Sequence, residues 1–100
     1  MLSRIRGLMW RAPLKDDEGL FITDCPSIHM FNVGFAIDAI FLTKENVVTD
    51  FVESIAPRKI YVAKPNAGKP YAALEVAVGT IAKSQTQIGD VLEFFEIDGE

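Results

Sequence analysis

The sequence predicts a mainly β domain, an antiparallel sandwich or barrel with one or two short helices. Three observations carry that expectation. The apolar runs are short and alternate with a period of two, turn signals separate them, and no long helical stretch lies between them. One hundred residues make a single domain, and 49% hydrophobic residues are ample for one core. Disordered chains are poor in these residue types.

The elements follow in order. Residues 2–10 set Leu2, Ile5 and Met9 at near-helical spacing, flanked by Arg4 and Arg6, which predicts a first short helix. After the polar Lys15-Asp16-Asp17-Glu18-Gly19, residues 20–23 form a short hydrophobic strand. Residues 37–42 are β-branched and aromatic, and too few for a typical helix. Segments 47–55 and 60–63 add two more strands. The clearest is 72–78, where Leu74, Val76 and Val78 share one face and Ala73, Glu75 and Ala77 the other. Residues 80–85 fit one or two helical turns with Thr80 as N-cap. A last strand is expected at 91–97, with Phe94 and Phe95 on opposite faces. Turns fall at Lys44-Glu45-Asn46, Ala56-Pro57-Arg58, 64–70 and Gly89-Asp90.

Composition excludes several classes. The net charge of −4 provides no general field for nucleic acid, and no nucleic-acid partner is expected. A single cysteine cannot form an internal disulfide. No charged start leads into the apolar run of a secretory signal, and no run approaches the ~20 residues of a transmembrane segment. A soluble, cytoplasmic protein is the expectation. The partner, small molecule or protein, and the oligomeric state are not written in the composition.

The polar chemistry gathers in Cys25-Pro26-Ser27-Ile28-His29, which holds the only cysteine and the only histidine, followed by Asp38 within the apolar 37–42 run. An imidazole with an ordinary pKa of about 6.5 suits a general base or a metal ligand. The structural reading of His29 is a hydrogen bond across a hairpin spanning 28–41. Cys25 is either a nucleophile relying on His29 as its base or a small buried hydrophobe. As metal ligands, Cys25, His29 and Asp38 are an incomplete, mixed set, so no metal and no cofactor are expected. Asp38 shares a strand face with Ile40 and Leu42, and a carboxylate buried there needs partners. Candidates are Arg4, Arg6 or Arg11, foremost Arg4, or backbone N–H groups.

Weaker signals read as structure. Ala67-Gly68-Lys69-Pro70 lacks the Gly-Lys-Ser/Thr ending of a phosphate loop and reads as a turn in a mobile loop. Arg58, Lys59, Lys64 and Lys69 around Tyr61 and Tyr71 have the mix that binds single strands. In an acidic chain they read as a solvated face. Trp10 with the arginines of the first segment could also lie on a membrane surface, a reading set behind packing on the domain.

Several short stretches, in order, resemble one known family. They are Arg4-Ile5-Arg6-Gly7-Leu8-Met9, Glu18-Gly19-Leu20-Phe21, Ser27-Ile28-His29, Ile37-Asp38 with Phe41-Leu42, Leu74-Glu75-Val76 with Gly79-Thr80, and Gly89-Asp90. Together they are similar to the domain-of-unknown-function 192 family, from Arg4 to about Phe94. The resemblance implies a compact, jelly-roll-like β-domain without an established activity, in the short form that lacks a signal peptide. Short members usually read Ile-His-Thr-Phe-Gly-Met-Arg-Phe-Pro-Ile-Asp, whereas this chain reads Ile28-His29-Met30-Phe31-Asn32-Val33-Gly34-Phe35-Ala36-Ile37-Asp38, with Met30, Val33, Gly34 and Ala36 among its departures. The missing arginine removes a cation from the neighbourhood of Asp38.

Two function classes follow. The first is a small non-enzymatic binding or accessory domain with a polar groove near His29 and Asp38, with Arg4 and Cys25 as further candidate binding residues. The second is a small hydrolase-like enzyme using Cys25 or His29 with Asp38. Convergence of these side chains in an open cleft would favour the enzyme.

Overall fold

Period-two alternation resolves into six strands, every pair antiparallel, in a computed structural model that describes residues 19–31 and 33–93. The strands are β1 (Gly19–Ile22), β2 (Ser27–His29), β3 (Ile37–Leu42), β4 (Val48–Ile55), β5 (Ile60–Val62) and β6 (Ala72–Val76), followed by helix α1 (Thr80–Ser84). The helix expected at 2–10, with Arg4, Arg6 and Arg11, lies outside the described residues. So do residues 94–97 of the expected last strand, of which Val91 makes a single bridge to Val47.

Four strands form one sheet in the order β1-β6-β3-β4, and β2 pairs with β5 in a second. The sheets do not close into a barrel. The hairpin imagined over 28–41 does not form, because β2 takes β5 as its partner, with Ile28 opposite Tyr61 and His29 opposite Ile60. The linker 33–36 carries the chain from one sheet to the other instead.

The larger sheet is covered on both faces, which explains why all of β3 is buried. Ile37, Ala39 and Phe41 look towards the smaller sheet and pack with Leu20, Ile28, Met30, Ile55 and Ala73. Ile40 and Leu42 face the other way and pack with Val48, Ala72 and Ile81 of α1. A strand buried on both sides loses its alternation, and that is why 37–42 reads as a continuous apolar run.

Strand β4 carries two bulges against β3. Ile37 pairs with Ile55 but Ala39 with Val52, and Phe41 pairs with Asp50 but Leu42 with Val48. An extra residue at a bulge bends the strand and re-aims its groups. Ser54, with φ of 51°, marks the first. The second falls at Thr49, beside Asp50, and both side chains turn towards the 64–70 loop. No helix among the described residues is long and apolar enough to cross a membrane.

Candidate functional site

Asp38 is fully buried, and three backbone amides converge on its carboxylate. Its Oδ1 accepts from the Ser54 N–H at 2.9 Å, and its Oδ2 accepts from Gly79 N–H at 3.1 Å and Ile81 N–H at 3.0 Å. The cap of α1 is therefore Gly79, with no side-chain hydrogen bond of its own, and not Thr80. A carboxylate forty-one residues upstream of Gly79 supplies the acceptor that a local Ser or Thr normally provides. One residue thus ties the first β4 bulge, strand β3 and the start of α1 together. Backbone N–H groups were one of the two partner sets expected. The other, Arg4 above all, lies outside the described residues.

Cys25 and His29 sit elsewhere. The Cys25 thiol donates to the Ser27 carbonyl at 3.0 Å, and its side chain packs against the core between the sheets. Burial pushes the thiol above its ordinary pKa, and the Glu75 charge adds to the rise. A thiol in that state is a poor nucleophile. The Cys25 N–H meets Tyr71 C=O, whereas Asp38 pairs with Val76. Five residues of strand separate those points, about 16 Å. His29 is exposed on the smaller sheet and stacks on Phe31 at 5.9 Å. Asp38 and His29 therefore belong to different layers. Among the described residues, no three His, Cys, Asp or Glu side chains are grouped to hold a metal ion.

Glu75 is a buried acid that was not among the candidate residues. It lies between Ala39 and Leu20 on the face turned to the inter-sheet core, 7% exposed, with no hydrogen-bond partner among the described residues. Burial raises its carboxyl from 4.5 to about 7. The folded chain therefore keeps a proton that the unfolded chain releases between those values. Stability is full below about pH 4.5 and falls as pH rises to about 7, where the loss is complete. The total is roughly 3 kcal/mol at about 1.4 kcal/mol per pKa unit. Glu75→Gln is expected to flatten that slope and raise the pH 8 melting temperature. Urea melts of both proteins at pH 4.5, 6 and 8 check it, and parallel curves would show that Glu75 titrates normally.

The open cleft lies at the other end of the sheet. It has a volume of about 710 Å³, and Pro26, Lys44, Val47, Lys69, Pro70 and Tyr71 are among its lining residues. The Lys44 ammonium sits 5.3 Å from the centre of the Tyr71 ring, a cation–π contact. Asp24 and Glu45 add two carboxylates to the same rim.

The 64–70 wall is anchored by the second β4 bulge. Thr49 Oγ1 donates to Gly68 C=O at 2.7 Å and accepts from Ala67 N–H at 2.8 Å. The Asp50 carboxylate accepts from Lys64 N–H and from the Tyr61 hydroxyl, each at 2.8 Å. Burial, and then this bond to Asp50, pushes the Tyr61 hydroxyl up to about 12. Gly68 has φ of 125°, and a Cβ there would come within 2.9 Å of Thr43 Cγ2. The loop read from sequence as mobile is in fact pinned by two buried polar side chains. Polar Thr49 and Asp50 inside a strand-like run were the available signal.

A family model described as Uncharacterized ACR, the domain-of-unknown-function 192 family, matches residues 1–94. No curated protein matches the chain. Among solved structures, a protein of unknown function from Novosphingobium aromaticivorans DSM 12444 is 29% identical with a TM-score of 0.72. The match covers 88% of this chain and 65% of that one, so the chain spans about two thirds of that protein's length. A candidate transcription regulator from Sinorhizobium meliloti 1021 is 24% identical with a TM-score of 0.72, covering 87% and 70% of the two chains, and shares the fold.

Proposed function

The chain belongs to the domain-of-unknown-function 192 family, and from that premise we propose that it is a small non-enzymatic binding domain. Its ligand is a compact organic molecule with an apolar face and a charged edge, held in the cleft beside Lys44, Lys69 and Tyr71. The observation that carries this reading is the preformed wall at 64–70, clamped by Thr49 and Asp50. A pinned wall lowers the ordering cost of binding, and the cleft lies in the usual ~300–1,000 Å³ range of small-molecule sites. The groove moves away from His29 and Asp38, since Asp38 is spent on backbone amides. The binding reading is favoured over the hydrolase alternative because the Cys25 side chain packs against the inter-sheet core whereas His29 is exposed on the smaller sheet.

The test is amide-detected NMR titration of the full chain with a panel of small aromatic carboxylates, amines and neutral analogues. At least one compound is expected to shift the amides of Lys44, Gly68 and Tyr71, and Lys44→Ala with Lys69→Ala is expected to weaken the effect. Shifts confined to other residues would sink the proposed cleft. Turnover of an ester panel that disappears in Cys25→Ala would restore the enzyme.

A further inference from the structure

The cleft beside Tyr71 carries both signs of charge. Lys44, Lys69, Asp24 and Glu45 all line it, and among the described residues no ion pair engages any of the four. Gly68 permits the close approach behind this arrangement. A Cβ there would come within 2.9 Å of Thr43 Cγ2, so the 64–70 loop rests against the 43–46 turn and Lys69 shares one cleft with Lys44. The Lys44 ammonium is held over the Tyr71 ring, and Glu45 follows it in the same turn. The Cys25 N–H bond to Tyr71 C=O, at 2.7 Å, sets Asp24 beside Tyr71.

A backbone donor joins the two ammonium groups. The buried Thr49 hydroxyl donates to Gly68 C=O. In a trans peptide the N–H points opposite to the C=O of the same unit, and no described peptide is cis. The Lys69 N–H therefore points away from Thr49, and no bond among the described residues engages it. A donor on a pinned loop meets an oxyanion with little further ordering.

We propose that the ligand of this cleft is a small zwitterion, an α-amino acid with an apolar side chain. The proposal rests on the reading of the cleft as a binding site and names its ligand class. The ligand carboxylate accepts from the Lys69 N–H and meets the Lys44 and Lys69 ammonium groups. Its own ammonium is drawn to Asp24 and Glu45, and its side chain lies against Pro26, Val47 and Pro70. Charge selects against simpler ligands. A bare anion such as phosphate meets two carboxylates, and a bare amine meets two cations. A cleft of about 710 Å³ is roomy enough for such a molecule.

Amide-detected NMR titration of the full chain with L-phenylalanine, 3-phenylpropionate, phenethylamine and the tripeptide Phe-Gly-Gly tests the proposal. The second and third compounds are phenylalanine without its ammonium and without its carboxylate. Phenylalanine is expected to bind at least about tenfold more tightly than either. The Lys69 amide signal is expected to move with phenylalanine and phenylpropionate but not with phenethylamine. Asp24→Asn with Glu45→Gln should lower phenylalanine to the affinity of phenylpropionate. Both positions are exposed, and asparagine tolerates the φ of 56° at residue 24. Equal or tighter binding of phenylpropionate, phenethylamine or Phe-Gly-Gly in the cleft would overturn the amino-acid ligand and leave the binding domain standing. Silence at Lys44, Gly68 and Tyr71 with phenylalanine would also overturn it, and silence with the simple acids and amines as well would remove the cleft itself.

Discussion

Asp38→Ala is expected to destabilise the folded chain by about 3–5 kcal/mol, on a scale where a domain's total is roughly 5–15 kcal/mol. The substitution removes the shared acceptor of the Ser54, Gly79 and Ile81 N–H groups, and of these three residues Ile81 is buried. A buried donor without a partner costs about 1–3 kcal/mol, because it has lost water and gained nothing. The void left in a fully buried site adds to this. Helix α1 is only five residues long, too short to persist on its own propensity. Loss of its remote cap should therefore free Ile81 from the Ile40 and Leu42 side of the sheet.

Asp38→Asn is expected to cost less, since one amide oxygen still serves Gly79 and Ile81. Its NH₂ group then faces the Ser54 N–H, donor against donor, so parental stability does not return. Urea melts with the m-value checked for each variant decide the order. Parental stability for Asp38→Ala would mean that the three amide bonds contribute nothing net.

The sequence announces Asp38 through its position: a carboxylate inside the run of Ile37, Ile40 and Leu42 has to be satisfied by something. Its partners are illegible because they are backbone groups, and any residue type provides an N–H. The same limit hid the pairing of β2. Three residues, Ser27–His29, show too little alternation to declare a strand, and their partner β5 follows thirty-one residues later. Strands β3, β4 and β6 were legible from 37–42, 47–55 and 72–78 because each is long enough to show its pattern. Which face of β6 was buried was not, since the Ala73 and Glu75 face looks polar and yet fills the inter-sheet core. The cleft was hidden for a related reason. Its wall depends on a bulge at Thr49, and a bulge leaves no mark in a period-two pattern until the register is known.

Phe41→Ala carries the other large effect, again about 3–5 kcal/mol, the usual cost of emptying a buried aromatic site. Phe41 is fully buried on β3 and stacks on Tyr61 with ring centres 5.7 Å apart, so it spans the two sheets. It does so within the cluster that joins Ile28 and Met30 to Ile37, Ala39 and Ile55. A pair of three-residue strands is marginal by itself and depends on packing against the larger sheet. Tyr61→Phe is expected to cost only about 1 kcal/mol, because it removes one hydroxyl bond while the ring and the Lys64 N–H contact to Asp50 remain. The two variants separate packing from hydrogen bonding at one junction. Hydrogen exchange should show Phe41→Ala lowering protection at Ile28 and Tyr61 before it reaches Ile40 and Leu74. Uniform loss across both sheets would instead mean that the fold opens as one unit, with no separable β2–β5 layer.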